Sequence, residues 1–210
     1  MSKFYRVCYA LFAGIVRVLF RIRVIGGEKE PVEGGFIVCS NHISAADPVV
    51  ISAAMRHQVC YMAKIELFRI PLLSWLIRAL GAYPIDRKNN DVGAIKRSVA
   101  MLGEGKCIGI FPQGTRYPGE DPRQTKLKNG VSLIAVHAEA DVLPVYVRCR
   151  DNRLRVFRRT EVIVGDPIPF ADLAYNREAS GEYTRMTGEI FETVCALADV
   201  SADCAKDEHV

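Results

Sequence analysis

The chain is 210 residues long, half of them hydrophobic and a quarter charged. That mixture can bury the core of one domain, and it excludes a disordered chain or a low-complexity fibre. The net charge of +4 is too small for the whole surface to grip nucleic acid, so the placement of charge matters more than its sum.

Between Met1 and Gly27 there are five basic residues and no acidic one, and the longest apolar run, Val7 to Val16, has ten residues. A bilayer-spanning helix needs about 18–20. On a helix, Lys3, Arg6, Arg17 and Arg21 fall within about 60° of one another. Phe4, Leu11, Phe12, Ile15, Val18, Leu19 and Ile22 take the broad opposite side. A cationic stripe beside an apolar face suits a helix lying among anionic headgroups. A cleaved signal peptide is the rival, but Arg follows the apolar run and no A-x-A-like site is present. Packing of the helix on its own domain is the plainer alternative. The expected organisation is an amphipathic membrane-interface helix over residues 1–27 and a domain over 28–210, with about ten frayed residues at the C-terminus.

Beyond Gly27, β-like runs alternate with helical stretches. Phe36–Ser40, Val59–Ala63, Ala82–Ile85, Lys106–Phe111 and Val142–Val147 read as buried or half-buried strands. Pro48–Met55, Leu72–Leu80, Val92–Leu102 and Val131–Ala138 read as helices, several closed by Gly or Pro. Leu154–Phe157 and Glu161–Val164 look like a closing strand pair, followed by a last helix near Tyr183–Leu197. The expected fold is a single α/β domain with a mostly parallel mixed sheet flanked by helices.

Seven cysteines, with no C-x-x-C pair and no His at finger spacing, argue against zinc. Most lie in apolar strings, where Cys acts as a small hydrophobe, and a reducing compartment is expected. Gly103–Cys107 fails the spacing and hydroxyl of a P-loop, and no G-x-S-x-G elbow is present. The arginine-rich stretch Arg148–Arg159 lacks the interleaved aromatic platforms of a nucleic-acid groove. It reads instead as a charged strand pair facing anionic lipid or solvent.

The sharpest feature is Ser40-Asn41-His42-Ile43-Ser44-Ala45-Ala46-Asp47-Pro48, directly after the first buried strand. α/β proteins place their sites at the carboxyl ends of strands. Asp47 could hold one imidazole nitrogen of His42 and leave the other as a general base. Equally, His42 could bond locally while Asp47 caps the Pro48 helix. A second strand end carries Phe111-Pro112-Gln113-Gly114-Thr115-Arg116, a tight turn with a guanidinium fork suited to phosphate. Gly81 to Arg87 and Val142 to Val147 complete four constellations.

Taken in order, these resemble the glycerolipid acyltransferase family, above all bacterial 1-acylglycerol-3-phosphate acyltransferases. The family's N-H-x-x-x-x-D, G-x-x-x-x-x-R, F-P-E-G-T-R and V-x-P-V motifs correspond to Asn41–Asp47, Gly81–Arg87, Phe111–Arg116 and Leu143–Val147. Ala63-Lys64-Ile65-Glu66-Leu67 is similar to a further family segment. One departure stands out: Gln113 occupies the place of the usual Glu.

The resemblance implies transfer of a fatty acyl group from an acyl thioester to the sn-2 hydroxyl of 1-acylglycerol 3-phosphate. His42 and Asp47 would be catalytic; Lys64, Arg87, Phe111, Pro112, Gln113, Gly114, Thr115 and Arg116 would bind substrate. It implies no cofactor and no metal. The donor is acyl-CoA or an acyl carrier protein, the acceptor a lysophospholipid, with an anionic membrane surface and no nucleic acid as partners. The place implied is the cytoplasmic face of the cell membrane, peripheral or monotopic. Another acceptor (glycerol 3-phosphate or another lyso-lipid) is the alternative reaction. A catalytically silent lipid-binding protein is the alternative class.

Overall fold

A computed structural model describes residues 13–79, 81–85 and 92–200. A helix over residues 13–19 (α1) leads into β1 (Ile22–Ile25). There follow β2 (Ile37–Ser40), α2 (Asp47–Ala54), β3 (Val59–Lys64), α3 (Pro71–Ala79), β4 (Tyr83–Ile85), α4 (Val92–Gly103) and β5 (Cys107–Ile110). Then come α5 (Gly130–Ala138), β6 (Val142–Cys149), β7 (Thr160–Val164) and α6 (Glu182–Ala196). Seven strands form one sheet in the order β1-β7-β6-β2-β5-β3-β4, and only the β6–β7 pairing is antiparallel.

The continuous apolar strands reflect burial on both faces. Ile37 and Cys39 of β2 point to a core shared with α5 and α6, through Ile134, Ile190 and Val194. Phe36 and Val38 point to the other face, where Val50, Ile51 and Met55 pack. The buried cysteines belong to these layers; burial pushes the Cys107 thiol up to about 12 and holds Cys39 and Cys60 above the ordinary thiol range as well. They pack as small hydrophobes, as expected.

Strand direction decides what surrounds the site. β2, β3, β4, β5 and β6 are parallel and end at one edge of the sheet; β7 is antiparallel and β1 follows β7, so both of these begin there. The approach to β1, the loop after β2, the segment after β3, the turn after β5 and the β6–β7 loop therefore share one rim.

Two expectations need correcting. Residues Ile22–Ile25, placed within the N-terminal helix, form an edge strand paired with β7 in register Ile22 to Thr160. Leu154–Phe157 is not a strand, because β6 and β7 already have partners on both sides and left-handed residues at Asp151, Asn152 and Phe157 turn the chain. Arg17, expected on the headgroup side, donates from Nε to Ala53 O at 2.8 Å, so this part of α1 docks on α2 while Ile15 and Val18 stay exposed. Lys3, Arg6, Phe4, Leu11 and Phe12 lie outside the described residues, as does the C-terminal end expected to fray. Among the described residues no helix is long and apolar enough to cross a membrane.

Candidate active site

β2 ends at Ser40, and Asn41 continues its pairing by side chain. Its Oδ1 accepts from Val147 N at 2.8 Å and its Nδ2 donates to Val147 O at 3.0 Å. The buried amide thus occupies the place of a strand residue and fixes where the backbone leaves the sheet. His42 comes next. Its Nδ1 lies 2.7 Å from Asp47 Oδ2. That oxygen also accepts the backbone N–H groups of Ile43 at 2.7 Å and Ser44 at 2.8 Å.

Asp47 is fully buried, so its carboxylate is held by three donors converging on one oxygen, which is how a buried charge is tolerated. The N–H groups it binds precede α2, so it closes the loop rather than capping the helix. The two readings of the His42–Asp47 spacing resolve in favour of a contact between the side chains. With Asp47 ionised, Nδ1 carries the imidazole proton and Nε2 is the basic nitrogen.

The turn after β5 grips the main chain of the same histidine. His42 N–H donates to Gln113 Oε1 at 2.6 Å, and His42 O accepts from Tyr117 N at 2.9 Å. Gln113 is 2% exposed, and its Nε2 donates to Thr125 Oγ1 at 2.8 Å. Both ends of this amide are thus bound within the protein, and its oxygen holds the His42 main chain. Gly114 makes the turn possible: its φ of +66° is a left-handed conformation that favours glycine, and its N–H donates to Phe111 O at 3.0 Å. Thr115 and Arg116 are exposed.

The Phe111 ring stacks on the His42 imidazole, with centroids 4.1 Å apart and planes 16° from parallel, and Tyr61 stacks on Phe111 at 5.7 Å. Room for Tyr61 comes from Gly109, its register partner on β5. A Cβ at Gly109 would stand 2.1 Å from the Tyr61 ring. Phe111, backed by Tyr61, thus fixes the plane of the imidazole, and Tyr61 has its place because residue 109 has no side chain.

Of the residues expected at the site, His42, Asp47, Phe111, Pro112, Gln113, Gly114, Thr115 and Arg116 come together on two adjoining strand ends. Lys64 ends β3 at the same rim and is exposed. Arg87 lies outside the described residues. Sequence reasoning missed Thr125, Tyr61, Gly109 and Tyr117. A β5 glycine opposite an aromatic was the available signal for two of them; none existed for Thr125 or Tyr117. Among the described residues no three His, Cys, Asp or Glu side chains gather into a group able to hold a metal ion.

Known proteins of similar sequence and fold carry acyltransferase names. The 1-acyl-sn-glycerol-3-phosphate acyltransferase of Bacillus subtilis is 29% identical over 174 residues, covering 81% of this chain and 85% of the relative. The enzymes of that name from Borreliella burgdorferi and Streptococcus pneumoniae are each 32% identical, over 134 and 142 residues. Those matches cover 63% and 66% of this chain and 53% and 52% of the relatives, so the chain spans about half the length of these two. The crystal structure of the 1-acyl-sn-glycerophosphate acyltransferase of Thermotoga maritima shares the fold, with a TM-score of 0.67 at 20% identity, over 96% of this chain and 85% of that one. The acyltransferase family profile matches residues 21–148, which takes in β1 through most of β6 and both loops that hold His42; the chain belongs to the acyltransferase family.

Proposed function

We propose that the protein transfers a fatty acyl group from an acyl thioester to the sn-2 hydroxyl of 1-acylglycerol 3-phosphate, forming phosphatidic acid. The observation that carries this reading is the His42–Asp47 contact at 2.7 Å on the rim of an acyltransferase-family fold, together with relatives named for that reaction.

His42 Nε2 takes the proton of the acceptor hydroxyl as its oxygen attacks the thioester carbonyl carbon. A C–O bond forms, and Asp47 stabilises the imidazolium. The tetrahedral intermediate then breaks its C–S bond, and His42 returns the proton to the departing thiolate. No protein nucleophile, cofactor or metal takes part in this sequence. Arg116, on the turn that grips His42, binds the acceptor phosphate with its planar fork, and Arg87 and Lys64 are assigned to the same anionic headgroup. Positioning of the hydroxyl against the carbonyl supplies much of the rate.

The acceptor is an amphiphile, and the rim is built to meet one. After β3 the chain exposes Ile65, Leu67, Ile70, Leu72 and Trp75, with Arg69 and Arg78 among them. Such apolar side chains beside arginines fit a peripheral protein on the anionic cytoplasmic face of the membrane.

The test is an acceptor panel. Purified protein receives acyl-CoA or acyl-acyl carrier protein together with 1-acylglycerol 3-phosphate, glycerol 3-phosphate or a lyso-ornithine lipid, and free thiol is measured. Thiol release with 1-acylglycerol 3-phosphate alone is expected. Preference for another acceptor reassigns the substrate, and release with none removes the enzymatic reading.

A further inference from the structure

The loop between β6 and β7 carries a feature that the reaction does not use. Residues Arg150 to Arg159 include five arginines and one acid. Asp151 lies 3.8 Å from Arg150 and 4.0 Å from Arg155, and Arg159 pairs with Glu161 at 2.7 Å. Between the arginines stand two apolar side chains, Val156 at 45% exposure and Phe157 at 69%. Phe157 has a φ of +61°, which a bulky L-residue rarely adopts. A phenylalanine so placed buries little within its own domain. The conformation is held by the Phe157 N–H, which donates to Leu19 O at 2.6 Å. Leu19 closes α1, whose Ile15 and Val18 are also exposed. Because β7 runs antiparallel to β6, this loop and the end of α1 share the rim that carries His42.

We infer that residues 153–159 form an interfacial finger for an anionic bilayer, distinct from the N-terminal helix. Val156 and Phe157 enter the boundary between headgroups and acyl chains. Arg155 and Arg158 flank them and reach the lipid phosphates, their aliphatic stems lying along the apolar tip. The finger sets the site rim against the surface in which the acceptor is embedded. Its purpose rests on the proposed lipid acceptor, but its membrane contact does not, so the two fail separately.

The experiment uses full-length protein and vesicles of phosphatidylglycerol or phosphatidylcholine, without donor or acceptor. Val156→Ser with Phe157→Ser should weaken co-sedimentation with phosphatidylglycerol vesicles about tenfold at both low and high salt, since apolar insertion is not screened. Arg155→Gln with Arg158→Gln should weaken it about tenfold or more at low salt and little at high salt. Turnover of a short-chain acceptor dissolved as a monomer should stay within about twofold for both, which separates loss of anchoring from loss of chemistry. Where the serine variant does not fold, Trp75→Phe with Phe157→Trp gives a chain whose single indole stands at position 157, and brominated acyl chains should quench it. Unchanged vesicle binding by folded serine variant, or an unquenched indole in bound protein, overturns the inference. So does a result in which only the arginine variant suffers, and only as a raised KM for an acidic acyl carrier protein, since that makes the loop a protein-docking surface.

Discussion

Gln113 Nε2 donates to Thr125 Oγ1 at 2.8 Å, and the Thr125 hydroxyl donates onward to Pro122 O at 2.7 Å. The direction of this chain is set by the amide, because Nε2 can only donate, so Thr125 accepts there and keeps its own proton for Pro122 O. A carboxylate at position 113 would reverse it. Thr125 would have to donate to the Glu, Pro122 O would keep only the Thr125 backbone N–H, and a buried negative charge would sit behind the His42 main chain.

Gln113→Glu should therefore lower kcat about tenfold or more with little change in either KM, since the loss lies in placing His42 rather than in holding substrate. Thr125→Val leaves the Nε2 end of the Gln113 amide without its acceptor, while Pro122 O keeps the Thr125 backbone N–H, and should cost about 1–3 kcal/mol of stability. In a Gln113→Leu background the same change should cost much less, because the pair is already broken. Additive losses in denaturant unfolding would show that the two side chains are not coupled.

The acid partner of His42 is tested by Asp47→Asn. An amide oxygen can still accept from Ile43 and Ser44, so the loop should keep its shape, but it cannot stabilise an imidazolium. kcat should fall by about 10²–10⁴, as should that of His42→Ala, and the double variant should be little worse than either alone. Rates near wild type for His42→Ala, in protein free of host enzyme, would remove the dyad from the mechanism.

The ring stack makes a separate prediction. Gly109→Ala puts a methyl group where the Tyr61 ring lies, so Tyr61 must move and Phe111 with it. The cost should be about 1–3 kcal/mol of stability for overpacking, together with a fall in kcat larger than that caused by an exposed alanine elsewhere on the rim. Tyr61→Ala in the same chain removes the clash, so the double variant should be more stable than the sum of the two single losses implies. Strict additivity, measured by thermal unfolding, would mean that the ring tolerates the methyl group.

How far the sequence reached depends on the range of the interaction concerned. The strand ends carrying His42 and Phe111 were legible because each follows an uninterrupted apolar run, and the Asp47 contact spans only five residues. Thr125 was not legible: it meets Gln113 across a twelve-residue excursion with no periodic pattern. β1 escaped for a related reason. Its four residues pair with Thr160 to Ile163, far along the chain, and Ile22 fits the apolar side of a helix equally well. Leu154–Phe157 erred the other way: its local alternation is strand-like, but no edge of β6 or β7 is left to pair with it.

Arg116 gives the clearest test of how the acceptor is held. It is exposed, and it stands between Gly114, where the turn reverses, and Tyr117, whose N–H binds His42 O. Under the proposed reading, a phosphate held by Arg116 would keep the acceptor at the turn that grips His42. Arg116→Ala should raise the acceptor KM or lower kcat by about 1.5–3 kcal/mol in kcat/KM, the worth of a hydrogen bond to a charged group, while the donor KM stays as it was. Arg116→Lys should recover part of this, because an ammonium supplies the charge without the two-pronged fork. The exposure of Arg116 also means that neither change should move the melting temperature by more than a degree or two. Steady-state kinetics with each substrate varied in turn decides the matter. If both KM values rise together and stability falls, Arg116 holds the turn in place and the phosphate is bound by other side chains on the rim.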